Sequence, residues 1–248
     1  MSEWFVFVMI AAGLVFGAAG WFFFRKMPTT WLLDYSETEI SQALLEQQQL
    51  AIWPHLVLLM VSDAVIFALG WYFVGPGLHL AAVLLAAQSF LLIIVADLKT
   101  RIIPDQFTLA LLPCVVLLWA ADALTGEAAW LPGLLYRFLG GLVAGAVLFF
   151  AGWLGEKIMK REAMGMGDVK LLSACGLLCG LRLLPMLILL AFFSAALVAI
   201  PLLLRRRRHP DSSGDMAFGP YIALATLAVL ILNQPLFRLW DAYLGLIT

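Results

Sequence analysis

Residues 78–105 read LHLAAVLLAAQSFLLIIVADLKTRIIPD, and this stretch decides the fold. From Leu78 to Ala96 no Asp, Glu, Lys or Arg interrupts it. That is the length of apolar helix needed to cross a hydrocarbon core, about 20 residues. The run stops at Asp97, and Lys99 and Arg101 follow as the basic flank that anchors a span on its inner side. Working outward, the same pattern recurs at about Trp4–Phe24, His55–Val74, Phe107–Leu124, Gly133–Leu154, Val169–Gly180, Leu184–Leu204 and Gly219–Leu232. The expectation is an all-α polytopic integral membrane protein of about eight transmembrane helices. A single membrane-embedded domain would cover residues 1–248, with one longer loop at residues 27–53.

Composition agrees. The chain of 248 residues is 64% hydrophobic and 12% charged, with a mean hydropathy of +1.00. Soluble domains are nearer half apolar and a quarter charged, so a water-soluble globule, a disordered chain and a disulfide scaffold are all excluded. A net charge of -1 argues against a nucleic-acid partner and leaves membrane lipid as the surrounding medium. Cys114, Cys175 and Cys179 lie inside apolar runs and form neither an even disulfide set nor a zinc tetrad. No metal site is expected.

Orientation follows from the basic residues. With the amino terminus outside, Arg25, Lys26, Lys99, Arg101, Lys157, Lys160, Arg161, Lys170 and Arg205 to Arg208 face the cytosol, 12 of the 15 basic residues. Only Arg137, Arg182 and Arg238 remain outside. The reversed topology breaks the positive-inside rule at nearly every loop. The first segment is expected to stay as a span, because Glu3 rather than a basic cluster precedes a run too long for a signal peptide. The four consecutive arginines read as a stop-transfer anchor. Gly141 and Gly145, and Gly176 and Gly180, have the spacing of close helix packing in lipid.

The interval from Met27 to Trp53 holds Asp34, Glu37, Glu39 and Glu46 and no Lys or Arg. Within it, Ser41 to Leu50 reads as a short helix. The acids form either an ordinary solvated loop or a docking surface for a basic peptide, since opposite charge steers encounter.

Ionisable groups at membrane depth are expensive, so they draw attention as functional groups. Asp97 ends the third span. Asp168 opens the sixth, in Met164-Gly165-Met166-Gly167-Asp168-Val169-Lys170. The topology puts both at the cytosolic face, where two helices can bring them together. Gly165 and Gly167 can take backbone angles closed to other residues and let a substrate backbone approach. Two carboxylates sharing one water form the aspartic-protease arrangement, in which the pair holds one proton between them. Alternatively, the two acids balance Lys99, Arg101 and Lys170 at the interface. Asp105, after Pro104, is placed either to cap the fourth span or to support the site. Asp63 sits mid-span, after Ser62, with a structural hydrogen bond and a site role both open.

Taken together, these motifs resemble those of the type IV prepilin peptidases. Asp97-Leu98-Lys99-Thr100-Arg101-Ile102-Ile103-Pro104-Asp105 resembles that family's D-x6-P-D signature. Gly165-Met166-Gly167-Asp168-Val169-Lys170-Leu171 resembles its G-x-G-D-x-K-L block, and Phe218-Gly219-Pro220 is similar to its closing F-G-P element. The resemblance implies an intramembrane aspartic endopeptidase of the prokaryotic inner membrane. Its active site would face the cytosol, and it would remove the short basic leader of type IV prepilins or pseudopilins. Carried over by motif, Asp97 and Asp168 are the catalytic pair, with Gly165, Gly167, Pro104, Asp105 and Lys170 as motif residues around them. Proteolysis needs no cofactor. Many family members also methylate the new amino terminus with S-adenosylmethionine and carry paired C-x-x-C zinc motifs after the first span. The interval Met27 to Trp53 contains no cysteine, so this is a short form without that zinc site.

Two other readings start from the same acids. Presenilin-like proteases share G-x-G-D but pair it with Tyr-Asp and a late Pro-Ala-Leu, where this chain has Ala96 before Asp97 and Phe218-Gly219-Pro220. A proton- or ion-coupled transporter would use Asp63, Asp97 and Asp168, with its site near the midplane. A deep cavity around Asp63 separates that reading from a one-sided groove. The sequence sets no oligomeric state.

Overall fold

The computed structural model describes residues 4–33, 39–126, 128–160, 164–208, 216–233 and 235–236, without the side chains of Met159, Leu203 and Arg205 to Arg208. All regular structure among them is helical. Helix α1 (Trp4–Lys26) leads through a 3-10 turn at Thr29–Leu32 and the short α2 (Gln42–Gln48) to α3 (Val57–Phe73). Then come α4 (Leu78–Thr100), α5 (Asp105–Leu109), α6 (Leu111–Thr125), α7 (Trp130–Met159), α8 (Met166–Arg208) and α9 (Gly219–Ile231). Among the described residues six helices are long and apolar enough to cross a membrane, and Gly219–Ile231 is a shorter apolar helix. Lipid offers backbone groups no hydrogen bonds, so closed helices are the form these apolar runs can take.

Small residues set the helix contacts. A Cβ on Gly13 would lie 2.6 Å from Ala64 Cα, and one on Gly17 2.5 Å from Met60 Cα, so α1 and α3 meet backbone to backbone. A Cβ on Gly176 would lie 2.4 Å from the Gly140 carbonyl oxygen, and one on Gly141 2.6 Å from Leu177 Cγ. Gly145 likewise leaves room for the Ser173 hydroxyl. The packing expected of Gly141, Gly145 and Gly176 is thus present between α7 and α8.

Gly180 does something else. It interrupts α8 with φ +67° and ψ 173°, a backbone open to glycine. The expected spans Val169–Gly180 and Leu184–Leu204 are therefore parts of one helical element joined at a break. Left straight, 43 residues would run about 65 Å, twice a bilayer core. Instead the Phe192 ring lies 5.4 Å from that of Phe218, just before α9, and Leu187 and Ala191 are wholly buried. The second half of α8 has folded back along the bundle. The carbonyls left open at the break are met by the Arg137 guanidinium, which donates to the oxygens of Leu177 and Leu178. Arg137 also pairs with Asp122, which accepts a 2.8 Å bond with His79 Nε2 on its other oxygen.

The interval after α1 is folded onto the bundle. Ser41 caps α2 by accepting from the Leu44 N–H at 3.2 Å. Gln48 donates to the carbonyls of Phe24 and Met27 at the end of α1, at 3.2 and 2.6 Å, and accepts from Thr29 Oγ1. Leu32, Leu44 and Leu50 are buried beneath it. Trp31 packs edge-on against Phe107 of α5, with Phe23 completing an aromatic trio.

Candidate active site

Asp97 stands one turn from the end of α4. Arg101 closes that helix in the left-handed region, φ 59°, with its N–H on the Asp97 carbonyl. Ile103 lies outside any helix, since the residue before a proline disfavours helical backbone, and Pro104, with φ -62° and ψ 128°, starts α5. The chain turns sharply just below Asp97 and presents Ile102 to Asp105 beside it. The Asp97 side chain is 4% exposed, and its Oδ2 accepts the main-chain N–H of Gly219 at 2.9 Å.

Asp168 comes from the first turn of α8, where the exposed N–H groups of the helix favour a negative charge. Its own N–H bonds the Gly165 carbonyl at 3.2 Å. Gly165 and Gly167 do not take the left-handed backbone that the sequence allows them. Gly167 matters for approach instead: a Cβ there would lie 3.3 Å from Ile103 Cβ, so the strand of chain carrying Asp168 lies directly on the turn beside Asp97.

Asp97 and Asp168 line a single cavity of about 860 Å³. Opposite them α7 supplies Phe149, Gly152, Trp153 and Glu156, and the segment after α1 supplies Thr30, Trp31 and Leu33. Asp105 does not cap its helix; Pro104 occupies the cap position without a side-chain bond. The Asp105 carboxylate instead takes both its oxygens to Lys170 Nζ, at 3.1 and 2.9 Å. This pair ties α5 to α8 across the cavity wall.

The other expected residues lie apart. Glu39 and Glu46 are exposed and are not part of the cavity lining; Asp34 and Glu37 fall outside the described residues. Asp63 is 1% exposed and accepts a 2.7 Å bond from Gln88 Nε2. It does not line the cavity, so the shared path that a transporter would need around Asp63, Asp97 and Asp168 has no support. Among the described residues no group of three or more His, Cys, Asp and Glu is arranged to hold a metal. Sequence reasoning missed the Trp31 wall, the Gly219 N–H, the Gln88 partner and the Arg137–Asp122–His79 cluster. Only Gly219 carried a signal, as part of the Phe218-Gly219-Pro220 element.

Residues 84–200, which include both aspartates, match the Type IV leader peptidase family. The chain is 32% identical over 169 residues to a prepilin leader peptidase/N-methyltransferase of Pectobacterium carotovorum, covering 64% of this chain and 53% of that protein. It is 34% identical over 175 residues to the protein of that name in Aeromonas hydrophila, covering 66% and 53%. A third, from Xanthomonas campestris, is 31% identical over 188 residues, covering 75% and 58%. The chain thus spans little more than half the length of these relatives. No solved structure matches it. Through residues 84–200, which carry Asp97 and Asp168 on the wall of one cavity, the chain is similar to the type IV leader peptidase family.

Proposed function

We propose that this protein is an intramembrane aspartic endopeptidase that removes the leader of type IV prepilins or pseudopilins, with Asp97 and Asp168 as its catalytic pair. The observation that carries the reading is the meeting of two acids, 71 positions apart in sequence (168 − 97), in one cavity at one end of the bundle. One carboxylate takes a proton from a water, whose oxygen attacks the scissile carbonyl carbon. The protonated carboxyl gives its proton to the carbonyl oxygen, forming a tetrahedral diol. Collapse of the diol breaks the C–N bond as one carboxyl protonates the leaving amine and the other carboxylate takes a proton from a diol hydroxyl, leaving a carboxyl product and one proton on the pair.

We place the amino terminus outside and the cavity at the cytosolic face, with eight spans when the two halves of α8 are counted separately. Arg25, Lys26, Lys99, Arg101, Lys157, Lys160 and Lys170 fall at or near the cavity end of their helices, and Arg137 and Arg182 at the Gly180 break. That asymmetry supports an inner-membrane, positive-inside orientation. The substrate's apolar helix would lie in the bilayer along α7, past Phe149 and Trp153. Its basic leader would meet Glu156 on the cavity wall and the exposed Glu39 and Glu46 of the acidic interval after α1. Reversing the charges of Glu39 and Glu46 is expected to raise KM at low salt and to matter less at high salt; an unchanged KM removes the docking role.

S-adenosylmethionine enters only through a second, transfer reaction on the new amino terminus. The cavity's Trp31 suits an adenine ring, and Glu156 suits ribose hydroxyls. Bound there, the cofactor would supply an electrophilic methyl group.

The test is cleavage of a prepilin-type precursor by the purified protein in liposomes, with product masses read by mass spectrometry. Wild type should release the leader, and Asp97→Asn and Asp168→Asn should not. Cleavage that survives both substitutions overturns the mechanism. Added S-adenosylmethionine should leave one methyl group on the product if transfer occurs.

A further inference from the structure

Asp97 is held from a part of the chain 122 positions away, the start of α9, where the Gly219 N–H reaches its Oδ2 at 2.9 Å. The local sequence leaves this donor available. Pro220 has no N–H to offer, and the N–H groups of Tyr221 and Ile222 both bond the Phe218 carbonyl, at 3.1 and 3.3 Å. The Gly219 N–H therefore points out of the helix end and is spent on Asp97. Space is as tight as the bond is short. A Cβ on Gly219 would lie 2.6 Å from Asp97 Oδ2, 3.3 Å from its Cγ and 3.0 Å from Ile103 Cδ1. Phe218, next to it, is braced by Phe192 from the folded-back half of α8.

We infer that Gly219 is a positioning residue for the reaction. Its N–H engages Oδ2 of Asp97 and its missing side chain leaves the slot that carboxylate occupies, so that Oδ1 is left for the water shared with Asp168. The inference rests on the aspartic-peptidase reading for its catalytic consequence, and on geometry alone for the contact. Ile103 makes the role separable from simple crowding. Ile103 also fills the space left by Gly167, so a methyl group at 219 could act by pushing Ile103 or by displacing Asp97. Trimming Ile103 to valine removes Cδ1 and relieves the first effect only.

Gly219→Ala should lower kcat about a hundredfold with KM nearly unchanged, the scale of loss expected from a misplacement of about 1 Å. Adding Ile103→Val should not restore kcat. Thermal unfolding in detergent supplies a readout independent of cleavage, through a cycle of Asp97→Ala, Gly219→Ala and the double variant. Gly219→Ala should lower Tm in the presence of Asp97 and leave it nearly unchanged once Asp97 is alanine. Restoration of kcat by Ile103→Val, or an equal Tm loss in both backgrounds, overturns the inference. A coupled cycle in a wild type that cleaves no prepilin-type substrate would sink the proteolytic reading and leave the Gly219–Asp97 contact standing.

Discussion

The two ends of the bundle each hold acids withdrawn from the surface, and they treat them differently. At the Gly180 end, Asp122 is shared between His79 and Arg137, and Arg137 also satisfies the Leu177 and Leu178 carbonyls. Charge there is balanced on the spot. At the other end, Asp97 is met by a neutral N–H and faces a cavity that holds Asp168 and is also lined by Arg101, with no salt bridge to either carboxylate among the described residues. A paired acid in a membrane protein fastens helices together. Two acids set against each other at an opening carry a cost, for which the proposed chemistry would account.

Matched substitutions test the contrast. Asp97→Asn should reduce cleavage at least about a thousandfold while the folded protein keeps its Tm, because the amide oxygen can still accept from Gly219. Asp122→Asn should do the reverse. It removes the counter-charge from a mostly buried guanidinium and should cost about 3 kcal/mol, read as lost Tm, with turnover per folded molecule intact. Lost turnover at full stability in Asp122→Asn would join the two ends functionally and break the comparison.

How far each end was legible depends on how local its chemistry is. The apolar helices, the two aspartates and their shared end followed from apolar run lengths, basic flanks and two short motifs. The Asp105–Lys170 pair was half legible: both residues stood in those motifs, but nothing in either said that they face each other. The Asp122 cluster left no mark. His79, Asp122 and Arg137 sit in three different helices, and only packing sets their distance. The same holds for Gln88 beside Asp63. Trp31 was hidden differently, in an interval whose charges drew the eye while its buried leucines and Gln48 do the folding. Gly180 has the spacing of a packing glycine, yet its φ of +67° makes it a break; spacing alone does not distinguish the two.

The helix interface joining the ends should answer next in size. Gly176→Ala puts a methyl group 2.4 Å from the Gly140 oxygen, against backbone that cannot swing aside. It should cost about 2 kcal/mol and lower Tm, where the same change at Gly20, with nothing within 4 Å, should not.

The smallest effect on stability belongs to Lys170→Met. Its ion pair with Asp105 lies at the cavity wall, with the two side chains 41% and 38% exposed, so solvent screens it and the pair should contribute less than about 1 kcal/mol. Its effect on turnover should be larger than that figure suggests. Lys170 lies two residues after Asp168, and its bond to Asp105 fixes the start of α8 against the turn that carries Ile103. Without it Tm should hardly move, while kcat should drop about tenfold, the cost of a small loss of alignment. High salt should reproduce part of that drop in the wild type and none in the variant. Equal salt dependence in both proteins would assign the salt effect to substrate docking rather than to this pair.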